Sequence, residues 1–289
     1  MLFKKPAYFI LCCVFFPLLS LAEPSAVWKI SKGSDYLYLG GTVHLLPQSE
    51  FPLPAGYDRA FADTDVLVLE TELPQSDADQ QQMLQGLMYQ PGKTLDQVLQ
   101  AGTYRRLARY LQANGLTLAD YRRYTPGFML MLMTQIETDK LGVNGEGVDM
   151  FYQHRAEQQP RPLWYLEALQ FQVSLLAGLG EGYEDQFIRS MLDESSEAEQ
   201  MLRDTLRAWR SADLAMIEQL LNQPTRKDDP VTYRALFTDR NNHWLPVIEG
   251  WFGNEHKELV LVGIAHLAGK DGLIHLLQQQ GYQTEQLVD

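Results

Sequence analysis

The sequence predicts an α/β protein. A central mixed sheet is built from both ends of the chain and flanked by helices, with a large helical insertion in the middle. Three observations carry this. Runs of β-branched, aromatic and leucine residues cluster towards the two ends, in "YLYL" (36–39), "VLVLE" (66–70) and "ELVLV" (258–262). Between Thr94 and Phe252 most of the chain instead spaces its apolar residues at helical period. No linker, low-complexity tract or short-period repeat divides the chain, so terminal strands sharing one sheet under a helical cover is the economical arrangement.

Taken in order, "AVWKISKGSDYLYLGG" (26–41) reads as a hairpin. Trp28 and Ile30 alternate with polar neighbours, Lys32-Gly33-Ser34-Asp35 forms the turn, and Tyr36 to Leu39 return. "AGYDRAFADTD" (55–65) is a short helix, and "VLVLETEL" (66–73) is a continuous apolar strand of the kind buried in a sheet. The polar, Gln-rich stretch from Gln75 to Gly92 suits a loop or a loosely held helix. Thr94 is placed to N-cap a helix that closes on Asn114-Gly115. A second helix starts near Pro126 and ends at Gly142; its "PGFMLMLM" (126–133) is too short to span a bilayer and reads as a buried segment. "EGVDMFYQHRAEQQ" (146–159) follows, and "PLWYLE" (162–167) reads as another buried strand. Helical spacing from 168 to 222 is interrupted at Gly178-Leu179-Gly180 and at "DESSEAE" (193–199). Residues 232–252 form a helix bent or broken around Pro246, and the chain closes with strand, helix and strand.

The first residues carry a different signal. Lys4 and Lys5 precede an apolar stretch from Ala7 to Leu21, and Ser20-Leu21-Ala22 is a small-x-small cleavage site. Residues 1–22 read as a signal peptide and 23–289 as one domain, the alternative being a retained anchor. Both cysteines, Cys12 and Cys13, lie in that leader, where Ile10 and Leu11 do not suit lipoprotein processing. The exported chain would then be cysteine-free, which excludes a thiol nucleophile and a thiolate metal site. It is large enough to bury a core without disulfides. Asp and Glu outnumber Lys and Arg, 37 to 24, for a net charge of −13. That balance argues against nucleic acid and anionic membrane as partners. The expected setting is the periplasm or the outside of the cell, with no membrane span after cleavage.

Two segments repeat one arrangement. "YLYLGGTVH" and "LVLVGIAH" each run a strand into a glycine and place a histidine three residues later: Gly41 with His44, and Gly263 with His266. Side chains that do chemistry in open sheets stand beyond the carboxyl ends of strands, and glycine there lets the backbone turn without a Cβ in the way. Neighbouring strands ending in this fashion would aim both imidazoles at one place. "VLVLE" ends in Glu70, whose charge is costly after four apolar residues unless paired or metal-bound. Two imidazoles and a carboxylate make a divalent-metal set with open positions. Taken singly, each histidine reads equally as a hydrogen-bonded structural residue. Glu70 would also serve as an arginine's partner, and His154, His243, His256 and His275 read as structural or surface residues. HExxH, G-x-S-x-G, P-loop and GxGxxG patterns are absent from the sequence.

"YLYLGGTVHLLP", "VLVLETEL", "GVDMFYQHRA", "LWYLEALQFQ", "LFTDRNNHW" and "LVLVGIAHLAGKDGL", in that order, resemble the pattern of the TraB/GumN family, which is related to Tiki-type proteases. The resemblance covers nearly the whole chain beyond the leader. Gly41 and His44 fit its first G-x-x-H motif, Gly263 and His266 its second. Glu70 fits the acidic position after the second core strand, and Arg240-Asn241 the late Arg-Asn pair. Glu167 fits a second acidic position, where the family more often continues Glu-Thr and this chain has Glu167-Ala168. The resemblance implies a divalent-metal-dependent hydrolase; its Tiki branch is proteolytic.

The expectation is therefore an exported metal-dependent hydrolase of peptide or related acyl bonds. His44, His266 and Glu70 would hold manganese, cobalt or zinc, and Glu70 would be ligand or general base. Arg240 and Asn241 would steady charge on a peptide or small-molecule substrate. Arg240 reads as well as a buried ion-pair partner of Glu70 or Glu167, and Asp149 as a helix cap or a residue orienting a histidine. Two other classes fit the same residues. One is a non-enzymatic exported protein that holds a metal, haem or small ligand. The other is a metal-free hydrolase in which a histidine is the base and Glu70 its orienting partner.

Overall fold

The computed structural model describes residues 23–288 apart from 73, 75 and 160; the expected leader, with Lys4, Lys5 and both cysteines, lies outside the described residues. The hairpin forms as its sequence dictates. Strands β1 (Pro24–Lys32) and β2 (Asp35–Thr42) pair antiparallel across a turn in which Gly33 takes φ +66°, a left-handed value that favours glycine. A short β3 (Leu45–Leu46) follows, then α1 (Ala55–Ala62) and the fully buried β4 (Val66–Leu69). After the insertion come β7 (Glu258–Gly263), α15 (Leu273–Gln279) and β8 (Gln283–Val288).

The insertion begins with α2 (Asp77–Gly86), so the middle of the Gln-rich stretch is a helix, capped by Ser76. Thr94 caps α3 (Leu95–Val98) through a capping box with Gln97, but the helix expected to run on to Asn114 breaks at Leu99 and resumes as α4 (Ala101–Ala113). Then come α5 (Leu118–Tyr121), α6 (Pro126–Lys140), the short β5 (Gly145–Glu146) pairing with β3, and α7 (Val148–Glu157). β6 (Leu163–Tyr165) is half-buried rather than buried, because it is the edge strand. The chain continues through α8 (Leu169–Gly178), α9 (Glu184–Glu194), α10 (Ala198–Arg210), α11 (Leu214–Ile217), α12 (Gln223–Asp228), α13 (Pro230–Tyr233) and α14 (Asp239–Glu249). Pro246 does not break α14: it lies on the exposed face, and the irregularity falls earlier, in a π-helical turn over Arg234–Thr238.

The main sheet has the order β6-β4-β7-β2-β1-β8. β6, β4, β7 and β2 run parallel, while β1 is antiparallel to both its neighbours. The mixed sheet is thus drawn from both chain ends, with β6 added from the middle. Its apolar strands pack with Tyr57, Tyr152, Trp209 and Trp244 into the main core. A second cluster around Leu107, Leu111, Met129, Met133 and Ile188 binds the inserted helices to one another, and "PGFMLMLM" contributes to it through two methionines. Among the described residues no helix is long and apolar enough to cross a membrane.

Candidate active site

The four parallel strands all end on one edge, and each delivers a residue that can do chemistry. β2 leads to His44, β4 to Glu70, β6 to Glu167 and β7 to His266. This is the crevice position expected of open parallel sheets. β2 and β7 are direct neighbours, with Gly41 beside Val262 and Thr42 beside Gly263, so the two G-x-x-H segments leave the sheet side by side. The first glycine is needed for space. A Cβ on Gly41 would lie 2.8 Å from Ile264 Cγ1, in the 3₁₀ turn Ile264–His266. The Gly41 carbonyl accepts from Tyr57 and from Trp209 Nε1, the latter at 3.0 Å, which fixes the strand end from beneath. Gly263 works through its backbone: its N–H donates to Glu70 Oε1 at 2.7 Å.

Arg240 on α14 is the hub. It is 7 % exposed. Its Nη2 donates to Glu70 Oε2 at 2.6 Å and Glu167 Oε1 at 2.5 Å, and Nε to Glu167 Oε2 at 3.2 Å. Nη1 donates to the Leu236 carbonyl in the π-helical turn and lies 3.1 Å from His266 Nε2. The guanidinium lies over the Trp244 ring, whose Nε1 also donates to Glu167. Both readings of Arg240's partner therefore hold at once: it bridges Glu70 and Glu167.

Asn241 sits under the crevice rather than at its rim. Its Nδ2 donates to the carbonyls of His266 and Asp271, at 3.1 and 2.8 Å. Its Oδ1, 2.7 Å from His266 Nδ1, must then be the acceptor, so His266 carries its proton on Nδ1 and turns the Nε2 lone pair towards Arg240. Burial pushes the His266 pKa down to about 3, so the ring is neutral at pH 7; Glu70's charge opposes this, and Arg240 and His44 add to it. Burial alone would raise Glu70, but His266, Arg240, His44 and the Gly263 N–H outweigh it and hold the carboxyl at about 2.

His44 faces the same crevice from the β2 side. Its Nδ1 is 3.1 Å from Asp149 Oδ2, and that carboxylate, by its charge and its hydrogen bond, raises the ring to about 9. The ring is 70 % exposed, so this pair adds little to stability and works mainly by orientation. Asp149 does not cap α7, whose N-cap Gly147 makes no side-chain bond. A small cavity of about 90 Å³ lies between His44, Glu70, Thr42, Thr71, Asp149 and Gln172, the last donating to Glu70 Oε2 at 3.2 Å. Of the residues lining it, Thr71 and Asp149 each have a side-chain oxygen buried without a partner, Thr71 Oγ1 and Asp149 Oδ1.

The structure therefore joins Glu70, Glu167, Arg240, Asn241 and His266 in one network. His44 lies across the cavity with Asp149, and His266 Nε2 is 3.9 Å from Glu70 Oε1. The donor types are ones a divalent ion takes, since each imidazole is anchored at Nδ1 by an oxygen. No three His, Cys, Asp or Glu side chains among the described residues gather closely enough to hold one, and His266 Nε2 lies 3.1 Å from Arg240 Nη1.

One residue the sequence did not flag is Gly147. A Cβ there would collide with the backbone of Val43 and His44, because α7 starts directly on that segment and Val148 N donates to the Val43 carbonyl. The signal was present in "GEGVD", a glycine two residues before an acid. Gly147→Ala should push Asp149 off His44. The His44 pKa, followed by NMR, is expected to fall from about 9 towards 6.5; a pKa that stays near 9 would contradict this coupling.

Residues 26–286 match the model of the TraB/PrgY/gumN family. The chain belongs to the TraB/PrgY/gumN family. No curated protein and no solved structure matches it. The TraB/PrgY/gumN match contains all the positions on which the sequence resemblance was drawn, from Gly41 to His266.

Acid should weaken this TraB/PrgY/gumN fold in a defined window. His266 is lowered on folding from 6.5 to about 3, so its contribution is full above pH 6.5 and is lost as pH falls towards 3. Glu70 is lowered from 4.5 to about 2, so its contribution is full above 4.5 and is lost towards 2. The Tm should decline from pH 6.5 downwards; a Tm unchanged between pH 6.5 and 4 would contradict a buried neutral His266.

Proposed function

We propose that the chain is an exported, divalent-metal-dependent hydrolase that cuts peptide or related acyl bonds beside Glu70. The observation that carries this reading is the matched anchoring of two imidazoles on adjacent strand ends. Asp149 and Asn241 each hold a ring at Nδ1, and His266 Nε2 lies 3.1 Å from Arg240 Nη1 and 3.9 Å from Glu70 Oε1. That is the outer arrangement metal-binding histidines use.

His44, His266 and Glu70 would hold manganese, cobalt or zinc. Holding an ion at His266 Nε2 would require Arg240 Nη1 to give up that nitrogen, and Arg240 would keep its contacts to Glu167 through Nε and Nη2. When bound, a divalent ion supplies the Lewis acidity that makes water a nucleophile near neutral pH. Glu70, kept ionised, accepts the water's proton or serves as a ligand. Arg240 faces charge that develops on the substrate oxygen. Asn241 has both amide N–H groups committed to carbonyls, so it positions His266 rather than touching substrate. Glu167 holds Arg240, and Gly41 and Gly263 let the strand ends meet.

A peptide panel assayed with and without chelator tests the reaction. Turnover should vanish in excess chelator and return with manganese, cobalt or zinc. Full activity in chelator would defeat metal dependence and favour the metal-free hydrolase in which a histidine is the base and Glu70 its orienting partner. Export is tested by the amino terminus of the protein recovered from the cell envelope or medium, expected at Glu23; an intact residue 1–22 there would contradict cleavage.

A further inference from the structure

A third part of the chain holds both G-x-x-H segments. Near the end of α10, Trp209 Nε1 donates to the Gly41 carbonyl at 3.0 Å and to Tyr57 Oη at 2.9 Å. Further along, a π-helical turn, Glu218–Asn222, ends on Asn222. Asn222 Nδ2 donates to the carbonyls of Ala265 and Ala268, at 2.9 and 3.2 Å, which flank His266 in the chain. Trp209 therefore fixes the strand end that leads to His44, and Asn222 the loop that carries His266. The link between them is firmly built. Ala212 turns the chain at φ +52°, a value uncommon outside glycine, Asp213 caps α11 by accepting from Met216 N, and Ile217 is fully buried.

Asn222 is 1 % exposed, and its amide can face the loop in only one way. Two carbonyl oxygens need donors, so Nδ2 must meet them and Oδ1 must turn aside. Oδ1 is then left buried without a partner. Native proteins rarely leave such an atom unmatched, so the residue's use lies in its two N–H groups. The first residue of the same turn also meets the loop: a Cβ on Gly269 would lie 2.1 Å from Glu218 Oε2.

Asn241 repeats the pattern from α14, donating to the carbonyls of His266 and Asp271. Two asparagines from two helical segments thus take four carbonyls of one loop. Only Asn241 reaches the ring, through the 2.7 Å contact between its Oδ1 and His266 Nδ1. That contact is directional, and it holds only while the loop backbone stays in place.

We infer that Asn222 is a positioning residue for His266, and that the segment from Trp209 to Asn222 sets the two crevice imidazoles relative to one another. Asn222 holds Ala265 and Ala268, the loop presents His266 Nδ1 to Asn241, and the ring's Nε2 is aimed as a result. Asn222 does not itself line the cavity beside Glu70. The consequence for turnover rests on the hydrolase reading above; the positioning does not.

The test follows the His266 ring proton by NMR and needs neither turnover nor metal. In wild type the His266 Nδ1–H, assigned by its absence in His266→Ala, should exchange slowly with solvent, as should the amide protons of Asn222. Asn222→Ala should speed exchange of the ring proton at least tenfold. Asn222→Ser, which keeps one donor, should fall between. Leu107→Ala is the comparison, since it lowers stability through the cluster that binds the inserted helices together and leaves the loop untouched. Its ring proton should exchange as in wild type. A ring proton that exchanges no faster in Asn222→Ala than in Leu107→Ala would make Asn222 merely structural and overturn the inference. Rapid exchange of the Asn222 amide protons in wild type would overturn it as well, whether or not any variant folds. In the peptide assay Asn222→Ala should lower kcat severalfold with KM little changed; absence of wild-type turnover there would count against the hydrolase reading alone.

Discussion

Arg240→Met is expected to cost about 3–5 kcal/mol of folding stability, the largest effect of any single change in the site. The arginine answers two carboxylates at once, Glu70 and Glu167, and the three side chains are 7, 12 and 3 % exposed. Removing the cation strands two buried charges that share a site, and neither can relax into water. Equilibrium unfolding in denaturant measures the loss. Replacing all three, as Arg240→Met with Glu70→Gln and Glu167→Gln, should recover most of it, because the penalty comes from uncompensated charge rather than from lost volume. Arg240→Lys should fall between, since a point charge cannot engage both carboxylates and Leu236 with a fixed fork. An Arg240→Met protein as stable as wild type would show that the network does not hold the crevice together.

Glu70→Gln is expected to lower turnover about 10²–10⁴-fold, the range associated with loss of a general acid or base. The fold should survive, because Arg240 keeps its bonds to Glu167 and the Gly263 N–H still meets an amide oxygen. The pairing of lost turnover with a retained unfolding transition separates a chemical role from a structural one. A fully active Glu70→Gln protein would remove this carboxylate from the mechanism.

Features fixed by neighbouring residues were legible in the sequence. The hairpin over Lys32–Asp35, the apolar β4 and the paired G-x-x-H ends depend on local pattern, and they stand where the pattern put them. Features fixed by partners far along the chain were legible only as alternatives. Arg240 meets Glu70 across 170 positions and Glu167 across 73, and no spacing rule chooses between two such carboxylates or says that both are taken. Asp149 reaches His44 across 105 positions, and it can do so only because Gly147 lets α7 rest on the Val43–His44 backbone. Of the bend or break expected around Pro246, the break is absent: Pro246 lies on the solvent side of an unbroken α14, and the sequence alone does not say which side of a helix faces out. Asn241 was expected to reach substrate; its amide is consumed by two backbone carbonyls, a commitment only the folded chain reveals.

The central claim is a metal site assembled from both ends of the chain, and metal content tests it most directly. Wild type, His44→Ala and His266→Ala are each exposed to manganese, cobalt and zinc in turn, freed of loose metal, checked for folding and analysed for bound ion. The account predicts one ion per wild-type chain and none in either folded variant. A wild type that binds no ion, or variants that bind it as well as wild type, would contradict it.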